Sequence, residues 1–598
     1  MAGETHRLPL VLKPENRDQT SAKDAKIINA FVEVKGEGEH EIYKRPGLGL
    51  YQALGAAAGM GVYNWNGDIY SVFGTTLYKN GVSIGTVSAI GGKYSFSSNQ
   101  NVIPQLLLQN GVNAYVYTNG VLTQIVAASS NLSFTGNVTS GSTAVTNTSI
   151  NTSLLAANVA ITGVGIPSSD FIASITTSNS FQLAVASTVT QNGLTLTASG
   201  YGFTGTTVSG STTVTAISIN TSLLSVNSNI TGLGIPLGSY IVSILSSTSV
   251  VINTAATASA SSVVMTATTA GFPPNVCHGI AWLDGTTYVI DTSAKIWGSN
   301  LNDNTAWDAL NYIAAQSEQD GGVAIARQLA NVIALKQWTT EIFYDAGSPV
   351  GSPLLPVSNS KQPYGCVNAD TVVSISDRLF WLATNRSGAK QVVIMESLVC
   401  KPISTQPIER LLDNANCTQA YGWTHKEMGH IFYGLTLPLA NMTLVYDLNS
   451  SIWYQWTDAS GNYFPIVDST FTSAQGHIMQ HISNGDLLTP AATNFNDLGL
   501  LFPVDLYTPK FDGGTRFNKL LTSLEIIGDT VPGSTLKIRF SDDDYKTWTN
   551  FRNANLYDQR PMLWDCGTFR SRAFHFRHLA NTPMRISSVD LQLLMGTL

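Results

Sequence analysis

Charge is what this sequence has least of. Between Asn131 and Gly271 one charged side chain, Asp170, stands in 141 residues, and over all 598 residues only 12% are Asp, Glu, Lys or Arg. Net charge is -7, and the 32 basic side chains are spread thinly rather than clustered. That distribution excludes the basic footprint of a sequence-specific nucleic-acid binder, although a mildly acidic surface is compatible with lining a conduit for DNA. Cysteine is scarce too. The five thiols Cys277, Cys366, Cys400, Cys417 and Cys566 are odd in number, widely spaced and without a CxxC pair, so buried free thiols are expected rather than a disulfide framework or a zinc site. No run approaches the roughly 18 apolar residues of a membrane span. Met1 to Arg7 and the short apolar run ending at Lys13-Pro14-Glu15 lack a signal-peptide core, so a soluble protein not exported by the usual route is expected.

What is present is a duplication. Phe134-Thr-Gly136 recurs as Phe203-Thr-Gly205, Ile150-Asn-Thr-Ser-Leu-Leu155 as Ile219-Asn-Thr-Ser-Leu-Leu224, and Thr162-Gly-Val-Gly-Ile-Pro167 as Thr231-Gly-Leu-Gly-Ile-Pro236, all 69 residues apart. A constant offset marks two tandem domains. Runs such as Phe181 to Val185 and Val263 to Ala267 alternate β-branched and small residues between Gly, Asn and Pro turns, which predicts short strands and a small sandwich. A disordered Ser/Thr-rich stalk would have few core-forming residues, whereas these occur at equivalent places in both copies. Gly163-Val-Gly165 and its copy read as turns; no helix or lysine follows to make a phosphate loop.

Around the pair, a different unit repeats. Asn-Gly at 66–67, 80–81, 110–111 and 119–120 separates alternating apolar runs, and the same pattern resumes after the insertion at His278 to Gly285 and Thr287 to Asp291. Asn-Gly between such runs is a strong hairpin signal. The meanders continue through Val332 to Tyr344, Val372 to Trp381, Val392 to Met395, His430 to Gly434 and Met442 to Trp456, at spacings that suit propeller blades better than one closed barrel. Asp308 to Gln319 is read as a helical excursion, capped by Asn304 or Thr305.

The expected fold is therefore all-β. It has an extended segment over 1–50, propeller parts over 51–130 and 272–505, two small sandwich-like repeats over 131–200 and 201–271, and a C-terminal antiparallel β unit over 506–598. The Pro46-Gly47 turn would deliver the first segment into the propeller as an edge strand.

Chemistry-bearing constellations are few. Ser541, Asp543, Thr547 and Trp548 resemble the Asp box S-x-D-x-G-x-T-W of propeller hairpins, with Tyr545 where that pattern has Gly; its role is structural, the carboxylate accepting turn amides while the indole packs beneath. A glycosidase would need further acids and an arginine cluster, and no arginines recur at comparable places. Asp542 to Asp544 lack the spacing of a calcium loop. The pairs His425/His430 and His477/His481 lack the context of a zinc helix. No catalytic residue, metal ligand or cofactor site is assigned.

Tyr43-Lys-Arg-Pro-Gly47, Trp307 to Tyr312, Thr339 to Tyr344, Tyr364-Gly-Cys366, Asp377 to Trp381, Ile403 to Glu409, Leu444 to Trp453 and Ser541 to Trp548 occur in that order. Together they resemble the tail nozzle proteins of short-tailed bacteriophages, also called packaged-DNA stabilisation or tail accessory proteins. The resemblance covers 28–130 and 272–598 and leaves out the repeat pair. It implies a non-enzymatic structural protein of the virion tail, assembled in the host bacterial cytoplasm. It also implies a homohexameric ring below the head-to-tail adaptor that retains packaged DNA and lets it exit through the lumen without sequence-specific binding. Tail fibres or tailspikes and a plug or needle are further implied neighbours. The alternative from another class is a propeller-type adhesin or glycan-degrading tail protein acting on host polysaccharide; a third is a sugar-binding protein whose modules are the repeats. Because Leu132 and Phe272 are expected to flank neighbouring strand ends, excision of Thr135 to Thr269 should leave the main domain folded. Its circular dichroism and thermal midpoint should match those of the intact chain, and loss of soluble protein would show the boundary to be wrong.

Overall fold

The computed structural model describes residues 4–10, 24–35, 39–125, 131–268, 272–348, 351–491 and 493–596, apart from 151, 153–154, 156, 158–160, 168–169, 200, 219–220, 222–223, 225–228 and 237–238. Lys13 to Glu15, Thr269 and parts of the Ile150–Leu155 and Ile219–Leu224 copies lie outside the described residues.

The protein is a β-propeller with two sandwich-like repeats inserted in it and an antiparallel β unit beside it. There are seven blades, six of them built from strands in sequence order. Blade 1 is Gly59–Trp65, Asp68–Phe73, Thr76–Lys79 and Val82–Thr86; blade 2 is Ser95–Ser98, Gln105–Gln109, Ala114–Thr118 and Val121–Ile125. Blade 3 is Ala281–Leu283, Thr286–Ile290, Lys295–Asn300 and Asp303–Ala314; blade 4 is Gly322–Gln328, Asn331–Lys336, Thr340–Asp345 and Leu354–Pro356. In blade 5 the inner position is split between Gly365–Cys366 and Val373–Ile375, both paired to Arg378–Thr384, followed by Lys390–Glu396 and Val399–Pro402. Blade 6 is Tyr421–Glu427, His430–Leu437, Met442–Asp447 and Ile452–Gln455. Blade 7 takes Ile466–Thr472, Gly476–His481 and Asp486–Ala491 from the far end of the chain, and its outer strand is Gly47–Ala53. The first strand of blade 7 packs against that of blade 1, which closes the ring.

Hairpin chemistry explains the regularity. Asn66-Gly67, Asn80-Gly81, Asn119-Gly120 and Asp284-Gly285 all have two successive positive φ values, the mirror-image turn that matches strand twist. With strands running alternately, first-to-second and third-to-fourth turns lie at one end of the ring, termed the hairpin face. Second-to-third turns and blade-to-blade connections lie at the other, the crossover face. The repeat pair follows the outer strand of blade 2 and precedes blade 3, so it leaves from the crossover face.

Each repeat is two three-stranded sheets around its own core. In the first, Asn131–Val138, Gln191–Ser199 and Ile161–Gly163 form one sheet and Ala144–Val145, Ser180–Leu183 and Ile172–Thr177 the other, enclosing Phe134, Val145, Ile161, Phe181 and Leu196. The second repeats this arrangement around Phe203, Val214, Ile230, Val250 and Met265. Leu132 pairs with Ala198 within the first repeat, so the propeller strand before the insertion ends at Ile125 instead. On the far side Phe272 meets Trp307 edge-on at 5.1 Å in the core shared by blades 2 and 3.

The first fifty residues differ from the expected extended lead-in. Lys26–Ile28 joins Val504–Tyr507, Ala573–His578, Thr535–Ser541 and Arg552–Asn555 in a sheet that continues from the outer edge of blade 6. Ala30–Val34 and His40–Lys44 join Arg585–Met595, Lys519–Gly528 and Met562–Trp564 in a second sheet, with Glu4–Arg7 alongside. One core containing Ile27, Phe31, Ile42, Leu524, Phe576 and Leu591 fills the space between them. The two flanks of the propeller sequence thus build one sandwich around a shared core.

One local expectation is corrected, and one helix is found that the residues did not suggest. Asp308 to Gln319 is not helical: Asp303–Ala314 is the outer strand of blade 3, where Trp307 and Tyr312 satisfy a strand's preference for aromatics and pair across to Ser299 and Trp297. The helix that does form is Gln406–Asn414, with Pro407 in its first turn and Ile408 and Leu412 buried.

Ring closure depends on a close backbone approach. A Cβ on Gly47 would lie 2.0 Å from the carbonyl oxygen of Asn496, so the closing strand can start there only with glycine. Gly47→Ala is expected to destabilise the protein by about 3 kcal/mol through overpacking, read as a lowered denaturation midpoint, whereas Gly49→Ala, whose Cβ would meet nothing nearer than 3.7 Å, should have little effect.

Candidate functional site

The Asp-box-like hairpin forms, on the sandwich and not on a blade. Ser541 Oγ donates to Asp543 Oδ1 (3.0 Å), which also accepts from Thr547 N (2.9 Å), while Thr547 Oγ1 donates to Asp543 Oδ2 (2.6 Å). Thr547's hydroxyl bond leads in holding the Asp543 carboxyl down at about 2. Tyr545 takes the positive φ of 64° that glycine would otherwise supply, and its hydroxyl donates to Thr508 O at 2.8 Å. That buried anchor offsets the strain of a left-handed non-glycine residue. Trp548 packs edge-on against Tyr507 and His575, with the Arg539 guanidinium 5.0 Å over its ring. Ser541, Asp543 and Thr547 are bonded to one another, while Trp548 packs away from them on Tyr507 and His575.

Arg45, in the Tyr43-Lys-Arg-Pro-Gly47 motif, is the most heavily engaged charge. It is 1% exposed. Nη1 and Nη2 grip Asp497 at 3.0 and 2.6 Å, Nε donates to Asn29 Oδ1 and Nη2 to Thr457 O, both at 3.0 Å, and the guanidinium stacks 3.7 Å from the Phe502 ring centre. Asp497 Oδ1 also accepts from Leu48 N at 3.0 Å. A planar fork with five donors can satisfy this site; a lysine cannot. Lys336 is comparable. Fully buried, it meets Asp320 at 2.7 Å and Glu341 at 2.5 Å and donates to the carbonyl of Glu318 at 3.0 Å.

The histidine pairs of the sequence are rearranged. His425 lies across from His477, with ring centres 5.2 Å apart, and His430 is held by Asp447 at 2.8 Å. His481 Nδ1 accepts turn amides from Ser483 and Asn484. Nδ1 of both His425 and His477 is buried without a partner. Among the described residues no group of three His, Cys, Asp or Glu could hold a metal ion. Cys366, Cys400, Cys417 and Cys566 are buried free thiols, and Cys277 is half-buried.

Sequence reasoning missed the axial cavity, because its wall is assembled from inner strands of several blades. It has a volume of about 600 Å³ and is lined by Tyr63, Phe96, Ile280, Arg327, Asp370 and Asp377 among others. Asp370 is bound to His278 at 2.7 Å, and Lys93 to Asp468 at 3.1 Å. The lone charge of the repeat pair, Asp170, is also internal: 1% exposed, it accepts from the amides of Phe171 and Val185. The described surface of the pair therefore carries no charge.

Fold and site together define an all-β protein of propeller, sandwich and inserted modules whose conspicuous polar groups serve as structural joints. A family model described as "Bacteriophage P22 Gp10, beta-propeller" matches residues 186–466, just under half of the chain, and supports a structural protein of a phage tail. The matched range includes the end of the first repeat and all of the second, which the resemblance in the sequence left out. No curated protein matches. Among solved structures, the chain is similar to YCF48 bound to a D1 peptide (10% identity, 74% of this chain and 97% of that chain, TM-score 0.31). It is also similar to the computationally designed Ika8 protein (7%, 75% and 100%, TM-score 0.30) and to a glycoside hydrolase (11%, 54% and 97%, TM-score 0.17). Likenesses this weak carry no argument about function.

Burial pushes His425 down to about 3, with His477 and Arg45 adding to the shift; burial and then Lys426 take His477 to about 4. Both values lie below the ordinary 6.5, so the folded protein binds fewer protons than the unfolded chain between these limits. Stability is then fully present above about pH 6.5 and is lost as pH falls toward 3, by up to about 1.4 kcal/mol per pH unit for each histidine. Urea midpoints are expected to fall between pH 7 and pH 4, and His425→Leu should flatten that fall.

Proposed function

We propose that this chain is the tail nozzle subunit of a short-tailed phage. In this reading six copies form a ring below the head-to-tail adaptor, continue the DNA channel, retain the packaged genome and release it during infection without catalysis. The family match over blades 3 to 6 is the observation that carries it. Three features of the chain are compatible. Several of its cations are individually committed, as Arg45 to Asp497, Lys336 to Asp320 and Arg577 to Asp505 show, which withdraws them from any phosphate-gripping stripe that would hinder sliding. The ring of blades is closed by a strand from the other end of the chain, which resists local opening under load. The repeat pair is an appendage on the crossover face and leaves the propeller free to serve as the ring's body.

Phage produced without this protein are expected to package DNA and then lose it, leaving empty heads. Cryo-EM projections of wild-type tails should show sixfold density below the adaptor that is missing from the deletion. Heads that stay full without the protein would overturn the reading. Release of reducing sugar from host polysaccharide by the purified protein would favour the glycan-degrading alternative instead.

A further inference from the structure

Exposed apolar side chains on the propeller are not scattered. Of the sixteen large ones among the described residues, eleven lie within two residues of a hairpin-face turn. Every blade contributes: Val82, Val102, Leu301, Leu329, Val399, Met428 and Phe471 stand on blades 1, 2, 3, 4, 5, 6 and 7 in turn. Val102 is 98% exposed and Leu301 71%. Among the described residues the crossover face has Ile90, Val112 and Leu439. Single exposed apolar residues need no explanation, but their segregation to one end of a seven-bladed ring does. Turn tips usually carry polar residues, and nothing in the turn geometry calls for Leu329 or Met428, which have positive φ and so are strained as well as exposed, or for Leu301 beside Asn302.

We infer that the hairpin face is an interaction surface, and that its partner is the same face of a second copy of this chain. The eleven side chains expose on the order of 1,000 Å², comparable to the roughly 800 Å² that each partner gives to a standard interface. The nearby charges do not point to a charged partner. Charges of both signs stand beside these turns: Asp68 is paired with Lys79 at 2.8 Å and Arg378 with Glu396 at 2.5 Å, while Asp284, Asp377, Arg327 and Lys426 are exposed. With acids and bases interspersed, the face has no single-signed field to repel a second copy, and each copy supplies the apolar surface the other lacks. A ring of apolar tips around an axial opening is also self-complementary under a twofold axis across the propeller axis, the commonest symmetry of homo-oligomers. The inference is independent of the nozzle reading, since it concerns one face of the isolated chain.

Sedimentation velocity of the full chain decides it. Self-association that rises with concentration is expected, and Leu301→Asp and Met428→Asp should each weaken it at least about tenfold, an aspartate buried there having no partner. Val112→Asp, on the crossover face, should leave it unchanged. Unaltered circular dichroism and thermal midpoint in all three variants would show that folding is intact. A chain that stays monomeric to about 100 μM, well above a micromolar dissociation constant, overturns the inference. So does association that responds equally to Val112→Asp or not at all to the hairpin-face variants.

Discussion

One buried guanidinium holds the architecture together. Arg45 lies where the sandwich, the closing strand of blade 7 and the connection after blade 6 converge, and it bonds to a residue of each: Asn29, Asp497 beside Leu48, and Thr457. Burying such a charge is costly unless its partners are complete, and here carboxylate, amide, carbonyl and aromatic ring are all supplied. The geometry is over-determined, since Asn29 Oδ1 also accepts from Thr457 N and Gly47 leaves no room for a side chain. Tyr43-Lys-Arg-Pro-Gly47 is therefore a joint, and the other motifs carrying the family resemblance behave alike. Glu341 holds Lys336, the Trp381 indole donates to Gly365 O, and Trp453 donates to Ile403 O next to the helix.

The path of the chain follows from that joint. Blade 7 needs a strand from residues 47–53 and three from 466–491, and the sandwich needs strands from 26–44 and from 504–595. Neither closes until the two ends of the chain are brought together, so the contacts that close the fold are also the most distant in sequence. Such topologies form slowly, because loop closure must precede reward. Individual blades rely on neighbouring strands, and the two repeats rely only on themselves.

Much of this was legible in the residues. Asn-Gly pairs located hairpins, and the 69-residue offset located the modules. Blade count was not legible, since blade 5 divides its inner strand and blade 7 borrows its outer one from the far end. Asp308 to Gln319 misled because a strand with an irregular register, broken near Trp297 and Ser299, mimics helical spacing of apolar residues. The helix Gln406–Asn414, short and with Pro407 in its first turn, was not anticipated from the residues. The Asp box was readable in its polar positions, and Tyr545 was not, since the hydrogen bond that makes it acceptable runs to Thr508, 37 residues away.

The burial of Asp170 has a consequence for the inserted pair. With its only ionic group sealed in a turn, the described surface of the pair presents uncharged groups alone: hydroxyls, amides, aliphatic side chains and the Phe171 ring. Contacts made by such a surface have no Coulomb component for counterions to screen and no group that titrates near neutrality. Adhesion through these modules would hold equally in dilute water and in brine, while the acidic remainder of the protein answers to both salt and pH.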